Sequence, residues 1–553
     1  MTEPTAPIAE IPSTSTTARI GWTLLIVATL YVCYFSYLGA IGFVGPDEPR
    51  YAWIARDMTE TGDWVTPRLY GKPWFEKPPL FYWGAALSFK LFGVSEAAAR
   101  LPSAVSALLA TLALAWFALR LYGAETARWL LLLLPTTVGM IGFSHAAATD
   151  MPFSAMLTIA MVCAAVVLGL TRNESSPVIP QTPWLALVLL GFFLGLAVLA
   201  KGPAAIILSG GTVFFWALFT KRWRDVLRLF HPAALASFCL TALPWYILCA
   251  RRNPDFFRIF IIEHNFKRYF TPEFQHIQPF WFYIPILALG LLPWSVTAIG
   301  LLRDAKHSWK EGGWLSSPGL FITCWAIFPV IFFSLSKSKL PGYVLPVIPP
   351  LQLLVAQRIS LRVRKTLPED LWISITSGVT LITLSVFTFF TFLQLEWIDF
   401  ALAALVLAAG GFAMVFPALW RLSQALMIGV IALIVAVTLA LTGATRGALD
   451  DSVSVRSAIR TAHVIWNNYS PELSSTYKLR RSFQYSLNFY FHRELPGWSP
   501  AQAHPGWVYA TAREISALRD LGLNCPFNAL RHAVIVCEDP GSVNRRPGSG
   551  QPQ

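Results

Sequence analysis

Two adjacent carboxylates, Asp47 and Glu48, follow the first long apolar stretch in Gly45-Pro46-Asp47-Glu48-Pro49-Arg50-Tyr51. The same segment continues through Gly62-Asp63-Trp64 to Trp74-Phe75-Glu76-Lys77-Pro78-Pro79. A lone acid at a polar boundary is ordinarily a solvated charge. Here the acids lie among Arg50, Arg56, Lys72 and Lys77, with prolines and aromatics restricting the backbone, and the combination reads as a built site. Other ionisable residues stand at the ends of apolar stretches: Asp150 in Ala148-Thr149-Asp150-Met151-Pro152, and Lys201 in Ala200-Lys201-Gly202-Pro203. Glu263 and His264 are followed by Lys267 and Arg268, and Lys337, Lys339 and Tyr343 share a second polar stretch. Charges at the edge of lipid are costly and are functional candidates by default, although a single lysine there commonly only reaches for the interface.

The chemistry open to such a set is transfer from a phosphate-linked leaving group. The negative charge that develops on departure needs cations, and Arg50, Lys77, Lys201, Arg268, Lys337 and Lys339 are candidate phosphate binders. A hydroxyl acceptor needs a general base, for which Asp47 is the natural candidate. An acceptor that is already an anion needs none, and Asp47 would then orient it or share a cation. Asp47, Asp150 and His264 together also have the donor types for a divalent ion, though no spacing motif demands one.

These residues must be positioned by a membrane. Of the 553 residues 55% are hydrophobic and only 13% charged, about half the charged share of a soluble domain. The net charge of +13 is scattered between apolar stretches, so nucleic acid is not indicated as a partner. Loops obeying the positive-inside rule, and a site for anionic lipids, account for it better. Stretches of about twenty apolar residues predict thirteen spans: 20–41, 97–119, 126–144, 150–170, 183–200, 203–220, 228–250, 279–302, 317–335, 341–358, 371–393, 398–417 and 423–444. The apolar run 79–94 is short and carries Lys90, and reads as a helix along the interface or a re-entrant segment.

Charge fixes the expected orientation. With the N-terminus in the cytoplasm, every inside loop is basic, for example Lys221, Arg222, Arg224 and Arg228. Three outside segments, 42–78, 251–278 and 336–340, are basic as well, against the rule, and they hold the candidate residues. The expected organisation is a disordered cytoplasmic N-terminus (1–18), an all-α membrane domain (19–444) whose first outside loop is 42–96, an extracytoplasmic α/β domain (445–540), and a disordered tail (541–553). In the α/β domain, strand-like runs at Trp507–Thr511 and Ala533–Cys537 and helix-like segments near 452–465 and 512–521 are expected. Five cysteines lie in or beside apolar stretches and read as small hydrophobes. Cys525 and Cys537, in the polar C-terminal segment, are candidates for a disulfide if that segment is extracytoplasmic.

At these residues the chain resembles the lipid A 4-amino-4-deoxy-L-arabinose transferases and their relatives, glycosyltransferase family 83 of the GT-C class. The resemblance runs over roughly 40–360. It is carried by Asp47-Glu48-Pro49-Arg50-Tyr51, Gly62-Asp63-Trp64, Phe75-Glu76-Lys77-Pro78, Asp150-Met151, Lys201-Gly202, Glu263-His264 and Lys339-Leu340-Pro341-Gly342-Tyr343. It implies a GT-C fold of about thirteen spans, a periplasmic active site in an inner membrane, a polyprenyl-phosphate sugar donor, and inversion at the anomeric carbon. It matches Asp47 to the catalytic aspartate, Asp150 to a second acid, and Glu76 with Lys77 to a pair near the donor phosphate. Arg50 and Tyr51 complete the first motif, and Lys201, His264, Arg268 and Tyr343 match other cavity positions, with Glu48 and Glu263 beside them. The expected acceptor is lipid A or a related envelope glycolipid. A protein O-mannosyltransferase-like enzyme is the alternative within the same chemistry. A lipid-linked-sugar transporter is the alternative of another class, disfavoured because the charges crowd one face instead of the midplane.

Overall fold

The structure, a computed structural model, describes residues 16–171, 183–270, 277–302, 318–365, 370–395, 398–416, 422–445, 448–466, 469–502, 506–525 and 533–540. Of the expected disordered ends, residues 1–15 and 541–553 lie outside the described residues while 16–18 already belong to the helix Thr16–Tyr34; the inside-loop basic residues Arg172, Arg303, Lys306, Lys310 and Arg421 are also outside the described residues.

Each of the thirteen expected stretches contains helix where described, although the first ends at Tyr34 and 35–41 is a turn, and the membrane body is all-α. Among the described residues eight helices are long and apolar enough to cross a bilayer, one of them, Pro341–Leu361, joining a 3₁₀ segment to an α-helix. The expected span 126–144 is instead two helices, Ala124–Leu133 and Val138–Ser144, bent by 62°. The expected span at 279–302 is likewise broken after the helix Tyr283–Gly290. Ala204–Thr220 is continuous but short at 17 residues. Broken and shortened helices leave backbone ends inside the body, where they can border a cavity instead of lipid.

The first outside loop is a compact cap. Its helix Asp47–Thr61 buries Tyr51, Ala52, Ile54, Ala55 and Met58 against Phe81, Tyr82, Ala85, Ala86 and Phe89 of the short helix Leu80–Phe92. Apolar residues three and four apart form that face. The helix ends at Gly62, whose φ of +73° suits a residue without a Cβ and whose amide caps Met58 O at 3.1 Å. Its N-terminus, where the helix dipole favours negative charge, carries Asp47 and Glu48.

The C-terminal domain has a three-stranded sheet of order β3-β4-β5, following a small hairpin of β1 (Arg68–Leu69) and β2 (Lys72–Pro73) in the first loop. Strand β3 (Ser474–Tyr477) runs parallel to β4 (Trp507–Thr511), which runs antiparallel to β5 (Val534–Glu538). Both strands expected from sequence, the helix Arg456–Ile465, and the helix Ile515–Asp520 are present. Strand β3 and the helix Arg481–Phe491 were not anticipated. A parallel pair needs a crossover, and this helix lies within it. Trp507 and Tyr509 pack on one side of the sheet and Val508 and Ala510 on the other, the period-two alternation of a strand buried on both faces. Cys525 and Cys537 form a disulfide.

The domain is tied to the membrane body by a polar hub. Arg456 donates to Gly39 O (3.0 Å), Ala40 O (2.7 Å), Glu96 (3.1 Å) and Asp450 (2.7 Å). Asp450, fully buried, also accepts the Gly42 amide at 2.8 Å. Tyr490 donates to Glu96 at 2.8 Å, and Phe489 meets Phe43 edge-on at 4.8 Å between ring centres. Residues 489 and 490 close the helix Arg481–Phe491, so its docking leaves the other end over the first loop.

Candidate active site

A cavity of about 1060 Å³ lies beneath the first-loop cap. Its walls include Asp47, Arg50, Tyr51, Glu76, Lys77, Asp150, Lys201, His264 and Tyr343. These come from the first-loop helix, the turn before Leu80, the start of the helix Asp150–Val167, the end of Trp184–Lys201, the π-helix Arg258–Lys267, and the short 3₁₀ segment Pro341–Val347. A second, mostly apolar recess of about 200 Å³ adjoins it, and both are lined by Lys77, Lys201, His264 and Tyr343. The rest of the recess is mainly hydrocarbon and aromatic, including Ile207, Phe270, Phe332 and Phe333, with Ser336 and Ser338 as its other polar residues.

Two groups of ion pairs, one around Arg50 and one around Lys201, organise the polar cavity. Arg50 bonds Asp47 Oδ1 through one terminal nitrogen and Glu76 Oε2 through the other at 3.0 Å, and its Nε donates to Pro46 O at 2.9 Å. The spacing from Asp47 to Arg50 is one helical turn, which brings the two side chains together. Burial opposes the Arg50 charge, but Glu76, Tyr51 and Asp47 outweigh it and push the guanidinium pKa well above its ordinary value. Asp47 itself is 49% exposed, and its Oδ2 has no hydrogen bond among the described residues. Lys77 lies 3.9 Å from Glu76 Oε1.

In the second group, Lys201 donates to Asp150 Oδ1 at 2.5 Å. The Lys201 ammonium also lies 4.7 Å from the Tyr343 ring centre and 5.3 Å from that of Phe153. Asp150 begins its helix and Lys201 ends another, the signs that each helix terminus favours.

Several expected positions lie elsewhere. Glu48 points away from the cavity and is 7% exposed. It accepts two bonds from Arg100, at 2.9 and 2.8 Å, and the amides of Val44 and Ala147. On a helix, neighbours in sequence diverge by about 100°, so Asp47 and Glu48 cannot share a face. Glu263 is taken by Arg258 at 2.5 Å outside both cavities. Lys339 folds back on its own loop, donating to Ser336 O (2.6 Å) and Gln278 O (3.1 Å). Burial, and then Lys337, lower its pKa. Lys337 is exposed and lines neither cavity. The Arg268 side chain is outside the described residues. Asp47, Asp150 and His264 do not converge as a ligand set, and no other group of three such donors does among the described residues. Each aspartate is engaged by a cation of the protein instead.

Sequence reasoning missed two groups. Arg100, inside the second expected span, is the buried partner of Glu48 and also donates to Leu38 O, Ile41 O and Gly42 O. An arginine among alanines in an apolar helix was the available signal. Arg480, Arg481, Ser482 and Tyr485 of the C-terminal domain complete the cavity wall, and nothing local in that polar segment marks them.

A charged cavity at the rim of a many-helix membrane body, capped by the first loop and an α/β domain, is the design of the GT-C glycosyltransferases, and the chain has that fold. It superposes over 95% of its length on 98% of the structure of ArnT from Cupriavidus metallidurans bound to undecaprenyl phosphate, with a TM-score of 0.72 and 24% identity. The family model for dolichyl-phosphate-mannose-protein mannosyltransferase matches residues 20–260. Among individual relatives, the chain is 35% identical over 339 residues to the undecaprenyl phosphate-alpha-4-amino-4-deoxy-L-arabinose arabinosyl transferase of Erwinia tasmaniensis. It is 33% identical over 347 residues to the protein of that name from Pseudomonas aeruginosa. The matches take in 60% and 63% of this chain and span 59% and 61% of those relatives' length.

Proposed function

We propose that this chain is a polyprenyl-phosphate-sugar-dependent glycosyltransferase of the bacterial inner membrane. It moves an aminoarabinose-like pentose or a hexose to lipid A, or a related envelope glycolipid, on the periplasmic face with inversion. The observation that carries this reading is the shared wall of Lys77, Lys201, His264 and Tyr343 between a polar cavity and an apolar recess. A polyprenyl phosphate is a charge at the end of a hydrocarbon chain and needs that junction. The relatives' names point to the same donor class.

In this reading Lys77 and Lys201 receive the phosphate, and Asp150 and Tyr343 hold the Lys201 ammonium in place. Glu76 orients Arg50, which orients Asp47. The open Oδ2 of Asp47 faces the acceptor. As the bond from the anomeric carbon to the phosphate oxygen breaks, the acceptor oxygen bonds that carbon from the opposite side. A hydroxyl acceptor gives its proton to Asp47; an acceptor phosphate is already ionised and is only oriented. The periplasmic placement of this face, with the N-terminus in the cytoplasm, rests on the basic loops at the opposite ends of the helices.

Mass spectrometry of envelope lipids tests the reading in cells carrying the wild type, Asp47→Asn, or no copy. A pentose- or hexose-type mass addition on lipid A, seen with the wild type alone, is the expected result. No lipid change in any strain overturns it. The mannosyltransferase family match favours one second reading, a protein O-glycosyltransferase. In that case the hexose mass appears on secreted proteins.

A further inference from the structure

The charges on the cavity wall do not balance. Asp47, Glu76 and Asp150 are met by Arg50, Lys77 and Lys201. Arg480 and Arg481 remain, both exposed, and neither has a carboxylate partner among the described residues. They are a surplus of two positive charges on the wall built by the C-terminal domain. Tyr485, one helical turn beyond Arg481, fixes Arg481 relative to the first loop, with Arg480 next to it in sequence. Its hydroxyl accepts from Arg481 at 3.0 Å, and its ring centre lies 5.8 Å from that guanidinium and 5.5 Å from that of Arg50. One aromatic ring is thus shared by the Asp47-bound arginine and Arg481.

The surplus is also on a different wall from the recess. The recess is lined by Lys77, Lys201 and His264 but not by Arg480 or Arg481. A donor whose tail fills the recess presents its phosphate to the lysines and leaves the arginine pair to a second anion. Arginine's planar fork suits a phosphate, and a phosphomonoester carries about −1.5 to −2 charge near neutrality, which matches the surplus.

We infer that Arg480 and Arg481 bind a phosphomonoester of the acceptor glycolipid, with Tyr485 aligning it to Asp47. This rests on the transferase reading for the word acceptor, but the binding itself is measurable without turnover. The test is equilibrium binding of labelled lipid A, phosphatase-treated lipid A and undecaprenyl phosphate to the full chain in detergent. The chain is used as wild type, as Arg480→Gln with Arg481→Gln, and as the corresponding double lysine variant. Wild type should bind the phosphorylated glycolipid roughly tenfold or more tighter than the dephosphorylated one. The glutamine pair should erase that preference and leave undecaprenyl phosphate binding unchanged, and the lysine pair should restore part of it. A preference retained by the glutamine pair overturns the assignment. So does a loss confined to undecaprenyl phosphate, which would give the arginines to the donor. Failure of wild type to transfer sugar in the lipid assay would instead strike the transferase reading.

Discussion

Glu48 and Arg100 face each other through two bonds, at 2.9 and 2.8 Å, with both side chains almost fully buried. The pair fastens the first-loop cap to the second long helix, and Arg100 in addition satisfies three carbonyls of the segment that follows the first, those of Leu38, Ile41 and Gly42. Removing one partner of a buried pair strands the other charge, which costs about 3–5 kcal/mol. Glu48→Ala is therefore expected to lower the thermal unfolding midpoint of the detergent-solubilised protein by several degrees. An unchanged midpoint would show that the pair does not secure the cap.

Asp47 is one residue away and makes a contrasting case. It is half-exposed and bonded only to Arg50 among the described residues, so its loss leaves no buried charge unmatched. Asp47→Asn should retain the wild-type unfolding midpoint to within a degree or two and reduce transfer at least a hundredfold, the usual scale for a general base. Parallel thermal and transfer assays check it, and substantial remaining activity would remove Asp47 from the chemistry.

That neighbouring acids play opposite parts shows where sequence reading stops. The membrane body was legible because apolar runs of span length have few other solutions in one chain. The cationic segments on one face were legible because they break the positive-inside rule. What could not be read was the direction of each side chain. Asp47-Glu48 looks like one acidic motif until a helix turns its members apart. Lys337 and Lys339 look like phosphate ligands until the loop folds Lys339 onto its own carbonyls. The bend after Leu133 had a sequence signal in Pro135-Thr136-Thr137, since a proline cannot donate a helix hydrogen bond, but the apolar run on either side reads as one span. Arg480 and Arg481 reach the cavity through the docking of Arg456 and Tyr490 on Glu96 and of Phe489 on Phe43, a long-range arrangement that no local pattern reports.

Asp63 gives the cap a pH dependence. Burial pushes its carboxyl up, but the Val65 and Thr66 amides (3.1 and 3.2 Å), with Arg252 (3.1 Å) and Arg68, pull it below its ordinary 3.8. A carboxylate with a depressed folded pKa stabilises in full above the unfolded value. That contribution fades as pH falls through the folded value, because the unfolded chain takes up the proton first. Asp63→Asn should thus destabilise by about 1 kcal/mol at pH 7, the scale of an ordinary hydrogen-bonded group. The gap from wild type should close below about pH 4. Unfolding midpoints across that range measure it, and a gap that widens on acidification would contradict the assignment.

Gly342 tests the placement of Asp150 without touching its charge. A Cβ built on Gly342 would fall 2.5 Å from Asp150 Oδ1 and 3.0 Å from Phe143 Cε1. Oδ1 is the atom that accepts the 2.5 Å bond from Lys201. Phe143 blocks the simplest retreat of the new methyl, so in Gly342→Ala the carboxylate must move and Lys201 loses its partner. If Lys201 is held in place to receive the donor phosphate, the variant should need about tenfold to a hundredfold more donor. This is the equivalent of one charge-assisted hydrogen bond of about 1.5–3 kcal/mol. Its dependence on acceptor concentration should stay near wild type. Lys201→Met should show the same split more strongly, because it removes the phosphate-facing charge itself. Donor and acceptor titrations of both variants in the transfer assay decide the matter. A rise confined to the acceptor side would move Lys201 and Asp150 from the donor's phosphate to the acceptor.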